Sequence, residues 1–324
     1  MHHSDSQMRN GSYSHLRYVN SRGLMELCDC YPESSRRDIF KSDTHGALDF
    51  TRCRSVPTGS LIYVVTSELC WFEEQAFTDH LRFNSKFILV TGGSVQGPRE
   101  AMRNSSRLLN MLKSTAIIRW YSQNVDFHHK KLHAMPLGID YHSAYDQQNI
   151  HPEMQERMLM NIRRLLPPLQ ARPNKFLSDI HHKRYGRQDA LVRIGKASSG
   201  GRETCLNGVE KAAVEWLPRM SRASLWRAHS KGRFMLSPTG VGQDCHRMYE
   251  ALALGTIPIV SQTILTETSL FNGLCVKVVG SWSNVTINAM NDIVSSYRHG
   301  ECTFGRQNLM EYWREEFQMA RLLR

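Results

Sequence analysis

The sequence predicts an α/β protein of two domains, each built around a parallel sheet. The chain has 324 residues, which exceeds the usual length of one domain, so two domains of roughly 150 residues each are expected. Short apolar runs rich in β-branched residues alternate with helical patterns, as in sheets of parallel strands. The run LLPPLQARPN ends a polar segment and predicts the linker. We therefore predict one domain over 1–165, with 1–58 irregular, and a second over 166–324.

In the first half, four apolar runs are predicted to be buried strands, and REAMRNSSRLLNML, between two of them, is predicted to be helical. The four runs are SLIYVV (60–65), KFILVT (86–91), TAIIRW (115–120) and KLHAMPLGI (131–139).

In the second half the alternation starts again and ends in an amphipathic helix, NLMEYWREEFQMARLLR. The predicted strands are NKFLSDI (174–180), GRFMLS (232–237), TIPIV (256–260) and LCVKVV (274–279). The other predicted helices are RQDALVRI (187–194), VEWLPRMSRASLWRAHS (214–230) and TINAMNDIVSSYR (286–298). Two α/β domains with a cleft between them follow from this pattern.

The segment SPTGVGQDCHRMYEALALGTIPIV (237–260) contains a helix with predicted limits at both ends. Asp244 is expected to be the N-cap, and the helical pattern extends to Leu254. Gly255 is expected at the C′ position, where glycine accepts a left-handed conformation. A strand, a loop, this helix and the next strand together form a βαβ unit.

The same segment predicts a site for a phosphate and a ribose. Ligands of open α/β sheets collect at the carboxyl ends of strands, where helix N-termini present free N–H groups. Gly240 and Gly242 allow close approach to the backbone after Ser237, and Arg247 is suited to a diphosphate. Glu250, on the same helix face, is suited to the two ribose hydroxyls. The alternative is an ordinary capped helix with an exposed Arg247–Glu250 salt bridge.

Several other site types are excluded by spacing. The chain has no phosphate-binding loop of the form G-x-x-x-x-G-K-[ST]. Cys245 stands where a dinucleotide fingerprint needs its third glycine. Ser94 has flanking glycines but no G-x-S-x-G. The absence of D-x-D argues against a transferase that holds its nucleotide through a metal bound by that motif.

The phrase GRFMLSPTGVGQDCHRMYEALALGTIPIV resembles the signature of exostosin-like, GT47-type inverting glycosyltransferases. In that signature a strand, Ser-Pro, a glycine loop, Arg and Glu-Ala-Leu precede Gly-x-Ile-Pro. Four further segments match the same family in the same order. They are FILVTGGS (87–94), WYSQNVDFHHKKLHAMPLGID (120–140), FLSDIHHKRYGRQDAL (176–191) and VVGSWSNVTINAM (278–290).

The resemblance implies a GT-B fold, with two Rossmann-like domains that face a central cleft. It implies that the C-terminal domain binds the nucleotide sugar and that the N-terminal domain binds the acceptor. By similarity, Arg247 contacts the diphosphate, Glu250 contacts the ribose, and Arg187 is a second phosphate ligand. Ser237, Gly240 and Gly242 form the loop beneath them.

The donor site has two further candidate residues. Asp244 stands at the start of the helix, and His246 is a candidate hydrogen-bond partner of the donor. The alternative for His246 is an ordinary position on a helix surface.

An inverting transfer without a metal requires protein cations to neutralise the leaving diphosphate and a base near the acceptor hydroxyl. Asp140 and Asp126 are the candidate bases, and the alternative for each is a turn or cap aspartate. No metal and no cofactor are expected. The co-substrate is a nucleotide sugar, with a UDP-sugar favoured, and the acceptor is a glycan or glycoprotein.

The net charge of +11 and the sequence pI of about 9.4 favour an anionic partner. Two alternatives to a transferase remain. One is a catalytically inactive relative that acts as a structural partner, since TGGSV replaces the Gly-Asp-x-Asp that often follows this strand in the family. The other is a basic nucleic-acid-binding protein, which the scattered charges and the lack of a known module disfavour.

The eight cysteines match no zinc or thioredoxin spacing, so reduced, buried thiols are expected. No apolar run approaches the roughly 20 residues that span a bilayer. We expect membrane association, and a Golgi or other secretory location, if an upstream anchor is missing from this sequence. Otherwise the expected location is cytoplasmic.

Overall fold

A computed structural model shows two compact units, the first formed by Met1–Arg157 with Leu309–Arg324 and the second by Met158–Asn308. The structure describes residues 13–32, 53, 56–77, 85–103, 105–143, 150–180, 200–286, 288–289, 294 and 305–323.

Unit 1 contains four parallel strands in the order β1-β2-β3-β4, which confirms the predicted strands. Strands β1 and β2 are buried at every position, as their continuous apolar sequences predict. β4 is shorter than predicted, because Pro136 lacks a donor and Gly138 adopts a left-handed φ of 72°. The strands are β1 (Ser60–Val65), β2 (Phe87–Gly92), β3 (Ile117–Ser122) and β4 (Leu132–Ala134).

The helices of unit 1 depart from the predictions in two places. The region expected to be irregular contains a helix, whose N-cap Asn20 accepts a hydrogen bond from Gly23 N–H. The single helix expected over 99–112 is two helices, since Arg103 ends the first with a φ of 48°. These helices are α1 (Ser21–Glu26), α2 (Leu69–Phe77), α3 (Pro98–Met102), α4 (Ser105–Lys113) and α5 (Pro152–Arg164), which continues into unit 2.

The C-terminal helix lies in unit 1, whereas the sequence analysis assigned it to the second domain. Trp313 and Phe317 pack against Tyr121 of β3, with ring centroids 6.3 and 5.2 Å away. Glu316 accepts a 2.6 Å hydrogen bond from the Tyr121 hydroxyl. This packing buries the apolar face of the helix against the first sheet. By chain order the helix is the last of the structure, and its bounds are Met310–Arg321.

Unit 2 contains five parallel strands in the order β6-β5-β7-β8-β9. The chain leaves β5 toward β6 and then returns to the other side of β5 to form β7. The two connections therefore diverge between β5 and β7, which makes this the topological switch point of the sheet. The strands are β5 (Phe176–Ser178), β6 (Val214–Trp216), β7 (Phe234–Leu236), β8 (Ile257–Ser261) and β9 (Lys277–Val279).

One predicted helix of unit 2 is wrong in its first half. Residues 214–230 were expected to be one helix, but their start is strand β6 and only the end is helical. Pro218 explains the break, because proline disfavours helix in the residue before it. The predicted helix at 187–194 lies outside the described residues, as does most of 286–298. The helices are α6 (Gly200–Gly208), α7 (Arg222–His229) and α8 (His246–Ala253).

One apolar cluster of unit 2 lies on one face of its sheet. Phe176 and Phe234, on neighbouring strands, place their rings 5.3 Å apart, and Cys205 and Leu206 of α6 pack against this face. Phe176, Phe234 and Cys205 are fully buried. This core fixes the strands whose carboxyl ends form the candidate site.

The expectation that the cysteines are reduced is wrong for part of the chain. Cys30 and Cys53 form a disulfide, and Cys275 is likewise disulfide-bonded. The two cysteines lie 23 residues apart in the chain, and no spacing motif marks them as a pair. Cys28, Cys70, Cys205 and Cys245 remain thiols.

Among the residues that the structure describes, no helix is both long and apolar enough to cross a bilayer.

Candidate functional site

The candidate site lies at the carboxyl ends of β5 and β7 in unit 2, on the two sides of the switch point. Asp179 directly follows β5, and Ser237 directly follows β7. Ligands of open α/β sheets bind in the crevice outside the carboxyl ends of strands at such a point. The topology therefore brings Asp179 to the segment that the sequence singled out.

The glycine loop has open space beside its backbone among the residues that the structure describes. Of these residues, only Arg202 would come within 4 Å of a Cβ at Gly240, with its Nη2 at 3.9 Å. The Gly240 N–H donates to the Gly242 carbonyl at 3.1 Å, which closes the loop on itself. On the α6 side, Gly201 packs so closely on Thr239 that a Cβ there would clash. The start of α6 therefore brings a second arginine to the predicted phosphate loop.

Ser237 ends β7 with its backbone N–H bonded to the Ile259 carbonyl at 2.8 Å. Its side-chain oxygen is buried and has no hydrogen-bond partner within the described part of the chain. Buried polar atoms are normally paired, so an unpaired hydroxyl beside an open loop indicates a place for a ligand or water.

The helix α8 begins one residue later than predicted. Its N-cap is Cys245, which makes no side-chain capping bond, so the prediction of Asp244 as N-cap is wrong. The Asp244 carboxylate instead accepts from Cys245 N–H at 2.8 Å and from the Tyr249 hydroxyl at 2.7 Å. Asp244 therefore braces the start of α8 from the preceding loop, and His246 is the first residue of the helix.

The predicted end of this helix is confirmed. Leu254 is the C-cap, and Gly255 follows with a left-handed φ of 64°. The guanidinium of Arg163 lies where a Gly255 Cβ would stand, and it donates to the Leu254 carbonyl at 3.0 Å. Arg172 donates to the Gly255 carbonyl, also at 3.0 Å. Two arginines thus satisfy the last carbonyls of α8.

Arg247 is held by the carboxylate that follows β5. Its Nε lies 2.5 Å from Asp179 Oδ1, and its Nη2 lies 3.4 Å from Oδ2. The two side chains are 14% and 15% exposed. Burial by itself would raise the pKa of Asp179, but the charge and hydrogen bonds of Arg247 hold it below its ordinary value. The pair is therefore ionised at neutral pH.

His229, the last residue of α7, lies behind this pair. Its side chain is fully buried, and its Nε2 lies 4.0 Å from Asp179 Oδ1. Burial, with a further contribution from Arg247, lowers the pKa of His229 to about 4. The imidazole is therefore neutral at pH 7, although it stands near a carboxylate.

Glu250 lies on α8 one turn after Arg247 and is 8% exposed. Its Oε1 lies 3.7 Å from Nη1 of Arg222, the first residue of α7. Since both Arg247 and Glu250 are largely buried, the alternative of an exposed Arg247–Glu250 pair does not describe the structure.

The two candidate bases belong to unit 1. Asp126 holds the backbone at the start of α3, and Asp140 holds the backbone that follows it. Asp126 accepts from Arg99 N–H at 3.1 Å and Glu100 N–H at 2.9 Å, and burial raises its pKa. Asp140 accepts from Ser143 N–H at 2.9 Å and lies 3.1 Å from His142 Nδ1. The expected turn and cap contacts are thus present at both, and a catalytic role for either stays a prediction.

Arg187, the predicted second phosphate ligand, lies outside the described residues. Four side chains at this edge are not among the residues predicted from the sequence: Asp179, Arg202, Arg222 and His229. Asp179 had a usable signal, because it is an acidic residue near the carboxyl end of the predicted strand 174–180. The other three had none, since their positions depend on how the helices pack.

The comparisons with known proteins concern mainly this unit. Residues 173–286 match the family model described as the RXYLT1 C-terminal domain. No curated protein sequence matches the chain.

Two solved structures are similar over most of the chain. One is a sucrose-phosphate synthase from Thermosynechococcus elongatus, with 15% identity over 80% of this chain and 69% of that chain and a TM-score of 0.36. The other is the Escherichia coli heptosyltransferase WaaC with ADP-2-deoxy-2-fluoro heptose, with 12% identity over 73% of this chain and 99% of that chain and a TM-score of 0.25.

Proposed function

We propose that this chain, whose residues 173–286 form a glycosyltransferase domain of the exostosin-like type, transfers a sugar from a nucleotide sugar to a hydroxyl group. The family match confirms the predicted resemblance to exostosin-like glycosyltransferases. The α/β, GT-B-like class is confirmed in its parts, since each unit is built on a parallel sheet. The donor, the acceptor and the stereochemistry belong to the proposal.

The observation that carries the donor site is the position of Arg247, held by Asp179 between the ends of β5 and β7. A fixed guanidinium beside the start of α8 suits a diphosphate, because both present N–H donors and positive charge. Gly240 leaves room for the anion, and Arg202 supplies a second cation across that room. We propose that the nucleotide diphosphate binds here.

Glu250 is proposed to bind the ribose. A carboxylate offers two oxygens, which match two neighbouring hydroxyl groups. Arg222, with its Nη1 3.7 Å from Glu250 Oε1, places a positive charge beside this acceptor. The arrangement supports any nucleoside diphosphate, and a UDP-sugar is our preferred donor.

In the proposed reaction the acceptor oxygen attacks the anomeric carbon while the bond from that carbon to the diphosphate breaks. The hydroxyl proton passes to a carboxylate, and the nucleoside diphosphate leaves with the bond electrons. Asp126 or Asp140 is the proposed base. Burial raises the pKa of Asp126, so its carboxylate is more basic than that of an ordinary aspartate. Arg247 and Arg202 would neutralise the leaving diphosphate without a metal, and the anomeric configuration would invert.

We propose a secretory compartment, such as the Golgi, as the place of action, with a glycan or glycoprotein as acceptor. The Cys30–Cys53 disulfide supports this location, because disulfides persist in oxidising compartments and are rare in the cytosol. The disulfide-bonded Cys275 supports it in unit 2 as well.

The test is calorimetric binding of UDP, GDP and CDP to the full chain, with and without a chelator. The Arg247→Ala/Glu250→Ala variant should lose binding of the nucleotide that the parent binds. A matched control is Arg227→Ala/Glu215→Ala, which removes the same charges from exposed positions of the same unit. Binding that the chelator abolishes would contradict the metal-free proposal. A folded parent chain that binds none of the three nucleotides would contradict the donor site and favour an inactive relative.

A further inference from the structure

Asp179 and His229 form a buried support behind Arg247, and the sequence analysis assigned no role to either. The three side chains come from different elements: the end of β5, the end of α7 and the first turn of α8. The Asp179 and Arg247 side chains are 15% and 14% exposed, and His229 is fully buried. A charged cluster so enclosed can hold its members in one geometry.

The contact between Asp179 and Arg247 selects one edge of the guanidinium. Asp179 takes the edge formed by Nε and Nη2, at 2.5 and 3.4 Å. Nη1 lies 3.5 Å from the Cys245 thiol, which is only a weak acceptor. The edge formed by Nη1 and Nη2 therefore remains suited to a bidentate contact with a phosphate, and its direction is set by Asp179.

Burial of the His229 imidazole costs free energy unless its ring nitrogens form hydrogen bonds. Neither ring nitrogen has a hydrogen-bond partner among the described residues, although the side chain is fully buried. An apolar ring would fill the same space without leaving polar atoms unpaired. The Nε2–Oδ1 distance of 4.0 Å to Asp179 is too long for a hydrogen bond but needs only about 1 Å of movement to become one.

We infer that Asp179 and His229 are positioning residues for Arg247. Asp179 orients the guanidinium toward the diphosphate. His229 donates a hydrogen bond to Asp179 when Arg247 contacts that anion. The inference rests on the proposed function of the site. The diphosphate draws part of the Arg247 charge away from Asp179, and the His229 Nε2–H then donates to Oδ1. The carboxylate therefore stays paired in both states.

The first test compares nucleotide binding by the full chain and by Asp179→Asn, with UDP, GDP, CDP and inorganic pyrophosphate as probes. Asparagine keeps the shape but loses the charge, so we expect dissociation constants to rise about tenfold. Asp179→Glu should recover part of the loss, because it restores the charge at a changed distance. Glu215→Gln, an exposed change in the neighbouring strand, serves as the control and should bind as the parent does.

The second test uses His229→Phe and measures binding and the melting temperature together. A purely structural histidine predicts an equal or higher melting temperature with unchanged binding. The inference predicts about threefold weaker binding with no fall in melting temperature. Unchanged binding by this variant would overturn the role of His229.

The third readout is the Arg247 Nε–H signal in nitrogen-15 NMR of the parent chain and Asp179→Asn. The parent should show a slowly exchanging Nε proton, and the variant a fast one, because only the parent holds Nε with a carboxylate. If Arg247→Ala abolishes nucleotide binding but Asp179→Asn binds equally or more tightly, Asp179 competes with the ligand and this inference alone fails. If the folded parent binds no probe, the proposed function fails and the inference fails with it.

Discussion

The two sheets end in loops of opposite character, although both are parallel and both place polar residues after their strands. In unit 1, Gln123 receives Gly93 N–H at 3.1 Å, Asn124 donates to the Ser94 carbonyl at 3.0 Å, and Asp126 accepts two backbone N–H groups. In unit 2, Asp179 binds another charged side chain, Arg247. At these strand ends the named side chains of unit 1 hold backbone groups, whereas Asp179 of unit 2 holds a charged side chain. This difference supports the proposal that a charged ligand binds in unit 2.

The largest expected effect concerns the two proposed bases of unit 1. If one of them acts as the base, unit 1 contributes a chemical role as well as backbone contacts. Asp126→Asn and Asp140→Asn keep the shape of each side chain and remove its basicity. We expect one of the two to lower kcat by about a thousandfold with nucleotide affinity unchanged. Transfer to an acceptor, measured at saturating donor, identifies which one. Near-parental kcat in both would leave these carboxylates with their backbone contacts alone and contradict the proposed bases.

The next effect concerns the pH dependence that burying His229 brings to unit 2. Its pKa of about 4 in the folded protein lies below the ordinary value of 6.5, so the unfolded chain takes up a proton first as pH falls. The free energy of unfolding is therefore unaffected by His229 above about pH 6.5, and it falls by up to about 3 kcal/mol as the pH declines toward 4. Denaturant unfolding at pH 7 and 5 should show the loss in the parent, and His229→Phe should reduce it. An equal loss in that variant would assign the pH dependence to other groups.

A smaller effect tests the end of helix α8, which fixes the angle of the helix that carries Arg247. Gly255→Ala places a methyl group where the Arg163 guanidinium lies and puts alanine at a φ of 64°. We expect a loss of about 2 kcal/mol in the free energy of unfolding. Gly273→Ala is the matched control, with a φ of 70° and no described residue within 4 Å of its Cβ position, so it retains the strain without the clash. Equal losses in the two variants would show that Arg163 moves aside at no cost.

The smallest expected effect separates the ribose contact from the diphosphate contact of the proposed donor site. Glu250→Gln keeps one acceptor oxygen for the ribose and removes the charge near Arg222. Nucleoside diphosphate binding should weaken about fivefold, because a hydrogen bond to a charged acceptor is stronger than one to a neutral amide. Inorganic pyrophosphate binding, measured alongside, should be unaffected. Equal weakening for both probes would place Glu250 near the diphosphate and not the ribose.

Local sequence patterns predict much of this fold because its central strands are buried on both faces. Such strands read as continuous apolar runs, and the central strand β2 (Phe87–Gly92) lies within one residue of the predicted 86–91. The pattern fails for β6, a three-residue edge strand that is followed by Pro218 and the helix α7. The position of the last helix was also not predicted, because its partner Tyr121 is distant in the chain.

The candidate site likewise contains residues that local sequence patterns predict and residues that they do not. Arg247 and Glu250 stand out because one helix carries both at a spacing that suits a nucleotide. The Asp179 contact, across 68 residues, depends on β5 and β7 being neighbours, and no local pattern encodes that order. The wrong N-cap has a simpler cause, since Asp244 bonds Tyr249 as well as Cys245 and so stays outside the helix.

The most direct test of the central claim is amide hydrogen exchange of the full chain with and without UDP, GDP and CDP. The account predicts that the nucleotide that binds slows exchange in 237–250 of unit 2 and leaves 92–97 and 123–126 of unit 1 unchanged. Protection confined to the loops of unit 1, with none in 237–250, would contradict a donor site built on Arg247.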